Sequence, residues 1–158
     1  SGVKTMSAAL SMEQGGSYYH FQMRDMLDAV AEWAKTEERE GATVINHPDT
    51  LSRLAREFTQ ANISESLTAR AQWTQVAGET DFAYGPASKV FSTQAFIDNS
   101  ADLLDLAAPA SMIRSHKGLG VVEKGYRHSS ATSVYGGTSE VLRSMVAERR
   151  LGLPRSRS

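Results

Sequence analysis

The chain has 158 residues, 41% of them hydrophobic and 22% charged, with a formal net charge of −1 and no cysteine. That length fits one domain with a real core, and the lack of cysteine excludes disulfide scaffolds, thiolate metal sites and cysteine nucleophiles and sets an intracellular, cytoplasmic protein as the default expectation. Near-zero charge gives nucleic-acid binding little support, no apolar run approaches the ~18 residues of a membrane span, and the N-terminus lacks a signal-peptide pattern.

From Lys4 to about Glu38 the pattern is helical: Met12, Tyr19, Met26 and Trp33 recur at heptad spacing, and Met23 and Val30 fill the alternate positions of the stripe. The segment Gly41 to Pro48 breaks this helix. Asp49 is a natural N-cap for a second helix running to about Ala77, with Leu51, Leu54, Phe58 and Ala61 on its inner face. After a polar break, Gly85-Pro86 opens a third helix, because proline suits a first turn; Val90, Gln94, Ile97, Ala101 and Leu104 form its stripe. Ala107 to Gly125, holding Pro109, Gly118 and Gly120, reads as a long connection with one helical turn, the kind of loop that often carries function. A last helix spans about Thr138 to Leu151, closed by Gly152 and Pro154. Long helices, short connections and weak strand signals predict an all-α fold, an antiparallel four-helix bundle. The domain is expected over residues 1–155 with a tail at 156–158. Ser1 at the start fits a processed end, a residue added there, or a cut inside a longer protein.

Residues 123 to 158 carry seven lysines and arginines against three glutamates. Such an end suits ligand phosphates or complements the negative end of a helix dipole, and the second reading is the plainer one. His20, His47, His116 and His128 lack the spacing that puts two metal ligands on one helix face, so they read as surface or loop histidines. Neither a Gly-x-Ser-x-Gly elbow nor a Gly-x-x-x-x-Gly-Lys loop is present, which leaves acyl hydrolysis and nucleotide hydrolysis without apparatus. Trp33, Trp73, Tyr18, Tyr19 and Phe21 fit a core better than an acyl pocket. The informative stretch is Val134 to Pro154. Two glycines before Thr138, Ser139 and Glu140 expose backbone N–H groups at the positive end of a helix, which suits an anion or a polar ligand edge.

The string Tyr135-Gly136-Gly137-Thr138-Ser139-Glu140-Val141-Leu142-Arg143, continuing through Ala147-Glu148-Arg149-Arg150-Leu151-Gly152-Leu153-Pro154-Arg155, closely resembles the C-terminal signature of acyl-CoA dehydrogenases. The match extends less strictly over the whole chain, from Met6-Ser7-Ala8-Ala9-Leu10-Ser11-Met12-Glu13 onward, and covers only the C-terminal helical third of such an enzyme. The resemblance implies FAD-dependent α,β-dehydrogenation of an acyl-CoA thioester, in which a carboxylate takes the α-proton and the β-hydrogen leaves as hydride to the flavin. A glutamate base works best when desolvation raises its pKa and hydrogen bonds stabilise the developing enolate.

In much of the family the base directly follows the signature tyrosine, where this chain has Gly136, which cannot serve. A second branch places it on the first long helix of this domain, and the matching residue is Glu13. The helix-weakening pair Gly15-Gly16 beside it fits close approach of a ligand or another backbone; periodicity alone also allows a helix that starts at Ser17 and leaves Glu13 in a solvated loop. The arginine that usually follows the glutamate is Gln14 here. For the cofactor, Gly136, Gly137, Thr138 and Ser139 match the FAD-contacting loop, and Glu140 a position that often reaches FAD. The usual Arg-x-Phe-Gly stretch is replaced by Glu38-Arg39-Glu40-Gly41-Ala42-Thr43, and the glycine-rich segment after the third helix by Leu106-Ala107-Ala108-Pro109-Ala110-Ser111. These departures are similar to the actinobacterial branch acting on bulky acyl-CoAs, including steroid side chains, often as assemblies of two related subunits.

The implied partners are the absent N-terminal and middle domains or a related subunit, an acyl-CoA substrate, a homo- or hetero-tetramer and an electron-transfer acceptor protein. The alternative is a non-catalytic structural or oligomerisation subunit.

Overall fold

The computed structural model describes residues 18–78 and 83–155, together with Gly2, Thr5 and Met6. Glu13, Gln14 and the Gly15-Gly16 pair lie outside the described residues, as do Met12 and the proposed tail.

Among the described residues five helices carry the fold: α1 (Tyr19–Ala34), α2 (Pro48–Val76), α3 (Tyr84–Leu106), α4 (Gly120–Ser129) and α5 (Ser139–Arg150). Two-residue strands β1 (Glu38–Arg39) and β2 (Ala42–Thr43) pair antiparallel between α1 and α2. The chain is therefore all-α, as the sequence predicts, with one short helix more than expected. Helix α1 ends at Ala34, not near Glu38, because Glu40 and Gly41 both take positive φ (53° and 81°) and fold the next residues into a tight hairpin. Helix α2 is capped by His47 with Pro48 in its first turn, which moves Asp49 from the expected cap into the first turn. The connection from Ala107 holds a 3-10 turn at Ala110–Met112 and then becomes α4 at Gly120.

Helix α1 buries the predicted stripe of Tyr19, Met23, Met26 and Val30, while Trp33 is half-buried with the Arg39 guanidinium 5.1 Å from its ring centroid. Two other expected faces are corrected. On α2, Leu54 and Ala61 are buried, but Leu51 and Phe58 are more than half exposed. The inward face instead carries Thr50, Glu57, Ser64, Thr68 and Thr74. On α3 the predicted stripe is at most half-buried, and Ser92, Phe96, Asn99 and Leu103 point inward. The reason lies in the contact between the two helices: Ser64 donates to Ser92 at 2.7 Å and the Thr68 and Ser88 hydroxyls meet at 3.2 Å, so short polar side chains satisfy one another and bring the helices together.

Helix α3 is the hub, packed against α1, α2, α4 and α5. Its Phe96 and Leu103 meet Met23, Met26, Leu119 and Val122 in the core. Helix α4 approaches α1 at Gly125, where an added Cβ would lie 2.3 Å from the Met26 sulfur. Of the aromatic residues read as core, Tyr19 is buried, whereas Tyr18, Phe21 and Trp73 are about half exposed. His20, expected at the surface, is buried on α1, and that desolvation lowers its pKa. No described helix is long and apolar enough to cross a membrane.

Candidate functional site

The loop between α4 and α5 brings together five of the six residues singled out from sequence. A 3-10 turn at Ser130–Ser133 leads to Val134 and Tyr135, both exposed. Gly136 and Gly137 then adopt φ of 70° and 102°, a left-handed pair that side-chain-bearing residues rarely take. The reversal puts Thr138 in extended geometry as the N-cap of α5, where its Oγ1 accepts from the Val141 N–H at 3.3 Å and its carbonyl from the Leu142 N–H at 3.0 Å. Glu140 sits exposed in the first turn. Behind the loop, fully buried Leu142 anchors α5.

This arrangement fits a polar ligand edge such as a flavin cofactor presents. The two glycines keep side chains off the loop, and no described acceptor takes the Thr138 hydroxyl hydrogen. The first turn adds the positive end of a helix dipole.

Beneath the loop lies a group that sequence reasoning missed. Lys89 of α3 is buried, and its ammonium donates to the Tyr19 hydroxyl (3.1 Å), the Thr93 hydroxyl (3.2 Å) and the Thr132 carbonyl. It also lies 5.1 Å from the Tyr19 ring centroid and 5.0 Å from that of Tyr135. On the outer side, His128 donates through Nδ1 to Gln22 Oε1 at 3.2 Å, which leaves Nε2 to accept from the Tyr135 hydroxyl at 3.0 Å. The only sequence signal for this network was a lysine set among Ser88, Ser92 and Thr93 in a helix that has to be central.

The hairpin segment Glu38-Arg39-Glu40-Gly41-Ala42-Thr43 is tied to the end of α3. Arg39 donates to the Leu106 carbonyl at 3.1 Å and the Ala108 carbonyl at 2.7 Å, closing the C-terminal end of α3. Its guanidinium is thereby committed within the chain. The substituted segment after α3 folds back likewise, with buried Ser111 donating to the Leu104 carbonyl. Arg143, Arg149 and Arg150 are exposed on α5. Among the described residues no three histidine, aspartate or glutamate side chains gather as a metal site would need.

The family model for the acyl-CoA dehydrogenase C-terminal domain matches residues 1–151. No curated protein matches the chain. Among solved structures, the ChsE4-ChsE5 complex from Mycobacterium tuberculosis is similar at 27% identity and a TM-score of 0.77, covering 85% of this chain and 36% of that one. A crystal structure described as an FAD-dependent dehydrogenase is similar in fold, with a TM-score of 0.87 at 19% identity over 97% of this chain and 40% of its own. So is an acyl-CoA dehydrogenase from Geobacillus kaustophilus, with a TM-score of 0.85 at 18% identity over 94% of this chain and 38% of its own. The chain thus spans well under half the length of these relatives.

Proposed function

The chain belongs to the acyl-CoA dehydrogenase family, matching its C-terminal domain over residues 1–151, and on that premise we propose that it forms part of an FAD-dependent enzyme that dehydrogenates an acyl-CoA thioester between its α and β carbons. The observation that carries this reading is the Gly136–Glu140 loop, in which a left-handed glycine pair leads into a helix start capped by Thr138. Bound flavin would supply the acceptor for the β-hydride. The chain's own part is to hold that cofactor and to move one proton.

Gly136, Gly137, Thr138, Ser139 and Glu140 hold the cofactor edge: backbone and the Thr138 hydroxyl approach closely, and the α5 dipole favours electron-rich atoms. Glu13 is the base, since Gly136 has no side chain to offer. Its carboxylate would accept the α-proton as the α C–H bond breaks. The remaining walls come from polypeptide that this chain does not span, in a homo- or hetero-tetramer that passes electrons to an acceptor protein in the cytoplasm. A bulky acyl group, such as a steroid side chain, is the substrate class proposed.

A second reading has its own support. Arg39 is bound to the end of α3, and Gly136 replaces the commoner base, as suits a subunit kept for assembly and not for turnover. One experiment separates the two. The chain is purified with its native partner polypeptides, and its visible flavin spectrum is recorded anaerobically before and after a panel of acyl-CoAs. Under the enzyme reading, stoichiometric flavin bleaches with one acyl class, and Glu13→Gln slows bleaching by at least ~10²-fold, the scale of a lost general base. If no assembly ever holds stoichiometric flavin, the structural-subunit reading replaces it.

A further inference from the structure

We infer that Lys89 is a positioning residue that clamps the segment Thr132–Tyr135 onto the bundle and thereby sets the orientation of the Gly136–Glu140 loop. Among the described residues the ammonium is held by the Tyr19 hydroxyl of α1, by Thr93 of its own helix, and by the Thr132 carbonyl in the 3-10 turn that enters the loop. Its charge also lies 5.0 Å from the centroid of the Tyr135 ring, so it attracts that ring as well. Tyr135 directly precedes the two left-handed glycines, and its hydroxyl is tied through His128 to Gln22 on α1. Ring and hydroxyl are therefore fixed at opposite ends. The last side chain before the flexible pair cannot pivot without breaking contacts to α1, α3 and α4.

Burying an ammonium is costly, and a residue that served packing alone would be better replaced by an apolar side chain of similar length. What an apolar chain cannot do is bind a carbonyl, two hydroxyls and the Tyr135 ring at one point. Lys89 thus contributes direction: it determines where the α5 N-terminus and the Thr138 hydroxyl aim. The functional consequence rests on the reading of this loop as the one that holds the flavin.

The test has two arms. In the first, amide hydrogen exchange is measured on the 158-residue chain as wild type, Lys89→Met, Lys89→Arg and Tyr135→Leu; Tyr135 is 42% exposed, so the last variant spares the core. The clamp predicts that amides of Gly136–Leu142 exchange about tenfold faster in Tyr135→Leu, which corresponds to ~1.4 kcal/mol for the lost ring contact and hydroxyl bond, and at least as fast in Lys89→Met, which also loses three hydrogen bonds. Protection of α2 stays unchanged, and Lys89→Arg recovers part of the loop's protection. In the second arm, flavin affinity and the visible band are compared in the partner assembly, with about tenfold weaker binding and a shifted band expected for Lys89→Met. Unchanged loop exchange in Lys89→Met overturns the inference. So does loss of protection in all helices together with a silent Tyr135→Leu, which would make Lys89 a residue of core stability. An assembly that binds no flavin even as wild type sinks the flavin reading of the loop instead, and the exchange arm still decides the clamp.

Discussion

Glu57 presents a problem that only protonation resolves well. It is buried on the face of α2 toward α3, its Oε1 accepts from Arg56 Nε at 3.3 Å, and its Oε2 has no hydrogen-bond partner among the described residues. Beside it the Asn99 amide donates to the Glu57 carbonyl at 3.4 Å, while its own Oδ1 is likewise unpartnered. Asp102 of α3 adds negative charge, itself held by Arg53 and Arg56. Burial first, and the Asp102 charge second, push the Glu57 carboxyl up to about 7 from an ordinary value of 4.5. A folded-state pKa above the unfolded one means that the native state binds the extra proton. The resulting stability is complete below about pH 4.5 and is lost as the pH rises through 7. His20, with its lowered pKa, acts in the opposite sense below pH 6.5. We expect urea unfolding of the wild type to lose on the order of 2 kcal/mol between pH 5 and 8 relative to Glu57→Gln, whose amide mimics the protonated acid. Parallel pH profiles for the two proteins would show that Glu57 is ionised throughout.

At the scale of elements, helix propensity and packing give opposite forecasts at Gly125, and magnitudes decide between them. Alanine is better than glycine inside a helix by ~1 kcal/mol. A Cβ at Gly125 would, however, stand 2.3 Å from the sulfur of Met26, which is only 1% exposed and enclosed by the core. Forcing that contact costs about 1–3 kcal/mol. Gly125→Ala is therefore expected to destabilise the chain by up to about 2 kcal/mol in chemical denaturation, and a stabilised variant would mean that α4 does not lie so close to α1. The same contrast explains which elements could be read from sequence. Helix α1 was legible because Tyr19, Met23, Met26 and Val30 are large apolar residues at helical spacing, and α5 because Thr138 and Gly152 mark its ends chemically. The inward faces of α2 and α3 were not. Serine and threonine hydroxyls pair across that contact, so the apolar residues that carry the visible periodicity, Leu51 and Phe58 among them, look outward. Helix α4 was hidden because glycines at 118, 120 and 125 mimic a loop, although Gly125 is there to allow close packing.

For the molecule as a whole, the core and the candidate loop stand on different footing. The core is continuous through α3, with Phe96, Leu103 and Val30 fully excluded from solvent by residues of this chain alone. Nothing in that burial calls for a partner, and a contiguous core of this kind supports cooperative unfolding. The candidate site was legible as a string, Gly136 to Glu140, because its chemistry is local: a reversal by two glycines and a cap. The Lys89 network under it was not, because it joins residues as far apart as 19, 89 and 135, a proximity that only the assembled bundle creates. Residues 136–139 of the loop are partly exposed and Glu140 is exposed, and the chain spans only 36–40% of the length of the similar structures. A large planar cofactor held by one loop and one helix end gains a few polar contacts but little burial, whereas tight ligand sites enclose most of the ligand surface. The chain alone is therefore expected to show a helical circular-dichroism spectrum and a single cooperative thermal transition, yet to retain no flavin through gel filtration. Adding the partner polypeptides should produce a stoichiometric visible flavin spectrum. Tight flavin binding by the chain alone would show that the loop encloses the cofactor without help, and would overturn the proposed division of the site between this domain and further polypeptide.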